Sequence, residues 1–207
     1  MSDLSLHARG VLERVATVPD FWNPAKSLPL GQIRTKRGSL VSFQPWDHQL
    51  LLCLATQRAY AEDRWLLHVK SRRVGSSTLF ACIGAQHAAF RPGCRVAVMA
   101  HKAPVAQELA QIAMRWHRTL APEWRIDASA GRKRSLYIPE IDSAVDFYSV
   151  KDDEPLRGNT VQVLIATELS SWAANGAPEA WTSALNTSSP RPISLPFSSR
   201  TDLTSPC

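Results

Sequence analysis

The chain has 207 residues, 44% hydrophobic and 20% charged, which is ample for a sizeable core and excludes a small disulfide-stapled scaffold. The net charge of +6 is uneven: residues 1–138 hold 20 Lys/Arg against 9 Asp/Glu, and residues 139–207 hold 4 against 9. A part at +11 followed by one at −5 favours a polyanionic partner, nucleic acid first, without naming a reaction. The four cysteines (Cys53, Cys82, Cys94, Cys207) show no CxxC or Cys/His spacing, so buried or free thiols are expected instead of a metal site or a disulfide framework. No apolar run approaches the roughly 18 residues that cross a bilayer, and the first twenty residues lack the apolar core of a secretory signal. No membrane partner and a cytosolic location are the default.

In chain order, Leu4 to Val15 has the pattern of a short amphipathic helix, and Pro19 to Ser39, with Pro24, Pro29, Gly31 and Gly38, reads as an extended arm. Residues 1–40 are thus expected to be a helix and arm ahead of the main domain. Apolar Leu50, Leu51, Leu54, Ala55 and Ala59 recur at helical spacing behind Asp47, which predicts a helix over 47–61. Trp65 to Val69 suits a buried parallel strand, and Ser76 to Phe90 a second helix. Arg95 to Ala100 reads as a buried strand and Pro104 to Leu120 as a helix with proline at its start. Ser135 to Ile138 and Ala144 to Ser149 read as two strands joined by a tight connection, and Val161 to Ala166 as a further buried strand.

This alternation predicts an α/β domain over 41–181, with a mainly parallel sheet covered by helices on both faces. Ligands of such sheets bind at the carboxyl ends of the strands. Residues 182–207 hold seven Ser, four Thr and four Pro and are expected to form a disordered tail.

Two segments at strand ends carry candidate chemistry. Lys70-Ser71-Arg72-Arg73-Val74-Gly75-Ser76-Ser77-Thr78 lies between a predicted strand and a predicted helix, the context of a phosphate-binding loop. Against GxxxxGK[ST], Gly75 fits the second glycine and Ser77 the metal-contacting hydroxyl, while Lys70 replaces the first glycine and Ser76 the lysine. Backbone amides at a helix start still cradle phosphate, and Lys70 or Arg72 can supply the missing cation. Thr167-Glu168 ends the strand VQVLIA, where a P-loop ATPase places its Walker B acids, and Glu168 is the candidate to activate water.

In these motifs and their order the chain resembles the N-terminal ATPase domain of phage and prophage terminase large subunits. The family loop K-x-R-Q-x-G-x-[ST] is matched at Lys70, Arg72, Gly75 and Ser77, with Arg73 where glutamine is usual. PWDHQLLL resembles the family's adenine-reading segment, with Gln49 preferred over Gln44. Leu156-Arg157-Gly158-Asn159-Thr160 resembles its R-G-x-T segment, and Thr167-Glu168-Leu169-Ser170-Ser171-Trp172 its Ser-Glu form of Walker B.

The resemblance implies a P-loop NTPase-like fold and Mg²⁺-dependent hydrolysis of ATP to drive double-stranded DNA into a procapsid in the cytoplasm of a bacterial host. It further implies a homo-oligomeric ring that meets a small terminase subunit and a portal protein. ATP would be held by Gln49, Lys70, Arg72, Arg73, Gly75, Ser76, Ser77 and Thr78, and Mg²⁺ by Ser77 and, through water, Thr167. Arg157 either contacts phosphate or senses hydrolysis, or else pairs with the Asp152-Asp153-Glu154 run; Arg132, Lys133 and Arg134 either contact DNA or form a solvated loop. The family's nuclease carboxylate cluster has no counterpart after Ser189-Pro190-Arg191-Pro192, so nuclease activity is not expected. A truncated or frameshifted end, or a naturally short relative, is the expected reason. A non-catalytic remnant that binds nucleotide or DNA, or a helicase-like ATPase, is the alternative.

Overall fold

The computed structural model describes residues 4–62, 64, 66–69, 74–129, 133–152, 156, 160–168 and 172. Among the predicted site residues, Lys70, Arg72, Arg73, Arg132 and Arg157 lie outside the described residues, as does the tail at 182–207.

Helix α1 (Leu6–Thr17) begins at Ser5, whose hydroxyl accepts the Ala8 amide, and buries Ala8, Val11 and Val15 at helical spacing. The segment after it is folded, not the extended arm expected. A short helix α2 (Pro24–Ser27) and a 3-10 turn (Leu28–Leu30) lead into strands β1 (Gln32–Arg34) and β2 (Leu40–Ser42), which pair antiparallel. Phe21 and Leu28 anchor this segment in the core, Phe21 packing edge-on to Phe90 at 5.0 Å between ring centroids. Sequence periodicity has little to say about such a segment, because single buried side chains carry it in place of a repeating face.

Helix α3 (Asp47–Ala61) and helix α4 (Ser76–Phe90) fall where the apolar spacing puts them. Strand β3 (Arg95–Ala100), helix α5 (Ala103–Arg118), strands β4 (Ser135–Ile138) and β5 (Ser143–Ser149), and strand β6 (Val163–Ala166) follow. The four-stranded sheet has the order β4-β5-β3-β6. β3 pairs in parallel with both β5 and β6, and β4 pairs antiparallel with β5. The result is a mixed α/β architecture with a mostly parallel sheet.

Alternate residues of β3 divide the core. Val96, Val98 and Ala100 join the large cluster built with α4, α5 and α1, while Ala97 and Met99 face a smaller cluster of Val150, Leu156, Val161 and Trp172. Among the described residues α4 and α5 pack on one face, and Val150, Leu156, Val161 and the helical residue Trp172 cover the other, so the sheet is flanked as expected. Trp116 of α5, fully buried, donates its indole N–H to the Leu28 carbonyl at 2.9 Å. Gly31 permits this packing, since a Cβ there would lie 2.5 Å from the Trp116 ring.

The strand expected over Trp65 to Val69 is not formed at 66–69, where Leu67 and Val69 are 76% and 87% exposed. Among the described residues, the segment 66–69 pairs with no strand of the sheet, whose order ends at β6. Cys53 and Cys82 are buried free thiols, as expected, whereas Cys94 is disulfide-bonded. Among the described residues no helix is long and apolar enough to cross a membrane.

Candidate functional site

The first half of the site is the start of α4. Gly75, with φ 74° and ψ 8°, turns the chain through the left-handed region into the helix, and among the described residues no side chain caps it. The first amides of a helix have no intrahelical acceptor, so an uncapped start presents donors and a positive dipole end. Ser76 is buried and its Oγ lies 3.1 Å from His68 Nε2; Ser77 and Thr78 are half-buried in the same first turn.

Gln49 holds this turn from the side. As the third helical residue of α3 its Oε1 accepts the Trp46 amide at 3.0 Å, half of a capping box. Its Nε2 points at the Val74 carbonyl, 3.4 Å away, and at the bare Cα of Gly75, where an added Cβ would lie 2.7 Å from it. His48 adds a second contact, Nε2 standing 2.9 Å from the same Val74 carbonyl. Gln49 is only 4% exposed, so its amide serves the loop backbone, while Trp46 beside it is 60% exposed. Gln49 and His48 thus brace Val74 and Gly75 at the entry to α4.

The second half lies at the carboxyl end of the parallel strands. Thr167 continues the ladder beyond β6: its N–H and its hydroxyl both donate to the Met99 carbonyl, at 2.9 and 3.0 Å. This uses the hydroxyl's hydrogen and leaves its lone pairs to accept. Trp172 donates its indole N–H to the Thr167 carbonyl at 2.9 Å, which ties down the turn from the far side. Glu168 follows with φ 57°, a conformation that costs a non-glycine residue roughly 1–2 kcal/mol. Its Oε2 lies 2.6 Å from Nδ1 of His101, the first residue after β3, a close contact without the alignment of a hydrogen bond.

His101 was not singled out by motif, although the rule that ligands sit at strand carboxyl ends applies to β3 as well as to β6. His48 and His68 carried no motif signal, because their role is to contact the loop backbone and Ser76.

The basic candidates divide. Lys133 is exposed, but Arg134 Nη1 pairs with Asp152 Oδ2 at 2.9 Å, and that carboxylate also accepts the Ser149 amide. Asp152 of the acidic run is therefore matched by Arg134, and a DNA phosphate would have to displace it. Burial pushes the Cys53 thiol up to about 11 and that of Cys82 higher still, so neither serves as a thiolate nucleophile. Among the described residues no group of three His, Cys, Asp or Glu side chains converges as a metal site. No family model and no curated protein matches the chain.

Proposed function

We propose that this chain is a terminase-like ATPase domain of P-loop NTPase type, which binds ATP with Mg²⁺ and hydrolyses it to drive packaging of double-stranded DNA. One observation carries the reading: an uncapped, glycine-entered helix start and a carboxylate at the carboxyl end of a parallel strand occur in one α/β domain. In the proposed chemistry the α4 amides and Lys70 hold the phosphates, with Arg72 beside them. Mg²⁺ held by the Ser77 hydroxyl would supply charge neutralisation between the phosphates. Glu168 orients and deprotonates the attacking water for in-line displacement. A ring of copies, a small terminase subunit, a portal protein and the DNA duplex are the proposed partners.

A second reading, nucleotide binding with little turnover, is favoured by the 66–69 segment, which leads into the loop without support from the sheet. Titration calorimetry with Mg-ATP and a phosphate-release assay separate the two. Expected are binding with slow turnover, binding weakened about tenfold or more in Lys70→Ala, and binding spared but turnover abolished in Glu168→Gln. No binding by the unmodified chain would overturn the proposal. Turnover undiminished in Glu168→Gln would remove Glu168 from the mechanism.

A further inference from the structure

We propose that His101 is a positioning residue for Glu168: it fixes the carboxylate at the end of β6 and thereby sets the rate of water activation. The inference rests on the ATPase reading above and adds to it a residue outside every recognised motif.

The placement follows from sheet register. Met99 on β3 pairs with Ala166 on β6, so the residues two further along each chain, His101 and Glu168, are lateral neighbours as the strands leave the sheet. Three restraints hold that neighbourhood. Thr167 makes two bonds to the Met99 carbonyl and Trp172 one to the Thr167 carbonyl, and next to them Glu168 holds a left-handed backbone. Strain of this kind persists only where surrounding contacts over-determine it. The carboxylate then meets the imidazole at 2.6 Å, with the His101 side chain 16% exposed and that of Glu168 42% exposed.

An unrestrained glutamate at a half-open strand end samples several rotamers, and the entropy of selecting one is added to the barrier at every turnover. His101 removes most of that freedom before the substrate arrives. The imidazole meets the carboxylate and acts through it, so its loss should slow the chemical step and leave nucleotide affinity alone.

The experiment compares His101→Ala, His101→Asn, Glu168→Gln and the His101→Ala/Glu168→Gln double variant in Mg-ATP titrations and single-turnover phosphate release. His101→Ala should lower the rate constant about 10- to 100-fold with Kd changed less than about twofold. His101→Asn, whose amide nitrogen stands where Nδ1 did, should recover at least about a third of the rate. It also guards against a folding defect in the alanine variant. The double variant should be no slower than Glu168→Gln alone, because the histidine acts only through the glutamate.

A rate in His101→Ala equal to or above that of the unmodified chain would overturn the inference, as would asparagine no better than alanine, or multiplying effects in the double variant. If Glu168→Gln abolishes turnover while His101→Ala leaves its rate unchanged, the ATPase reading stands and the inference alone falls. If the unmodified chain does not bind Mg-ATP, or turns it over regardless of Glu168→Gln, both fall.

Discussion

Two glycines with left-handed backbone separate local strain from tertiary fit. Gly75 has φ 74° and Gly93 φ 71°, but a Cβ at Gly93 meets nothing within 4 Å, whereas one at Gly75 lies 2.7 Å from Gln49 Nε2. Gly93→Ala should therefore cost only the left-handed backbone term, about 1–2 kcal/mol. Gly75→Ala should cost that and also push the Gln49 amide off the Val74 carbonyl, a further ~1 kcal/mol, and weaken Mg-ATP binding. Urea unfolding of the two variants, with Mg-ATP titration of Gly75→Ala, checks this. Equal stability losses would show that the Gln49 brace is energetically idle.

The motif match singles out Gly75 and Gln49 separately. That they meet is a tertiary fact, since Gln49 is placed by the first turn of α3 and Gly75 by the start of α4. Glu168 was legible by its position after an apolar strand, and Gly75 by its position before a helix. His101 was not, because a histidine after a strand acquires meaning only when the neighbouring strand is known.

Among the elements, α5 shows how burial writes a pH dependence into stability. His117 in its last turn is 2% exposed, and burial is the main cause that pushes its imidazole down to about 4 from the usual 6.5. His87 in α4 is pushed down as well, again chiefly by burial. The unfolded chain takes up these protons near 6.5 and the folded chain takes up that of His117 only near 4. Stability is therefore full above about 6.5 and falls as the pH drops through that window, because the unfolded state binds more protons there.

His117 alone should cost on the order of 2–3 kcal/mol between pH 7 and pH 4. Urea unfolding across that range should show the loss, and His117→Gln should flatten it. An unchanged pH slope in that variant would remove His117 as its source. The same helix explains where element reading succeeded and where it stopped. Its apolar face, Ala106, Leu109, Ala110, Ala113 and Trp116, is periodic and readable. Its hold on the N-terminal segment, through the Leu28 carbonyl and the Thr119 hydroxyl that accepts the Gln32 amide at 2.7 Å, involves single residues without period.

For the whole molecule, charge is the property that reaches beyond the fold. A +11 part without a base-reading element should bind duplex DNA through phosphates, so affinity should fall steeply and linearly in log salt. Replacing Arg132, Lys133 and Arg134 together by Gln should lessen the slope by about two, not three, because Arg134 is already paired with Asp152. Fluorescence anisotropy with a labelled duplex over a salt series measures this. An unchanged slope would take the patch out of the interface, and a fall of about three would show that DNA displaces Asp152.

Apolar periodicity in the linear chain was enough to assign α3, α4, α5, β3 and β5, because each buries a face whose repeat of 3.6 or 2 is set by local geometry. The same periodicity put Gly75 at the start of α4 and Glu168 just beyond β6. It failed at 66–69, where an apolar run suits a strand but pairs with no strand among the described residues. Whether a short apolar run becomes a strand is decided by a partner distant in sequence, and hydrogen-bond ladders are never satisfied by one segment alone. Which helices share a face, the contact of Gln49 with Gly75, the pairing of Arg134 with Asp152 and the approach of His101 to Glu168 were likewise decided by tertiary structure. Each joins residues set by different elements, and register and packing, not local propensity, bring them to within bonding distance.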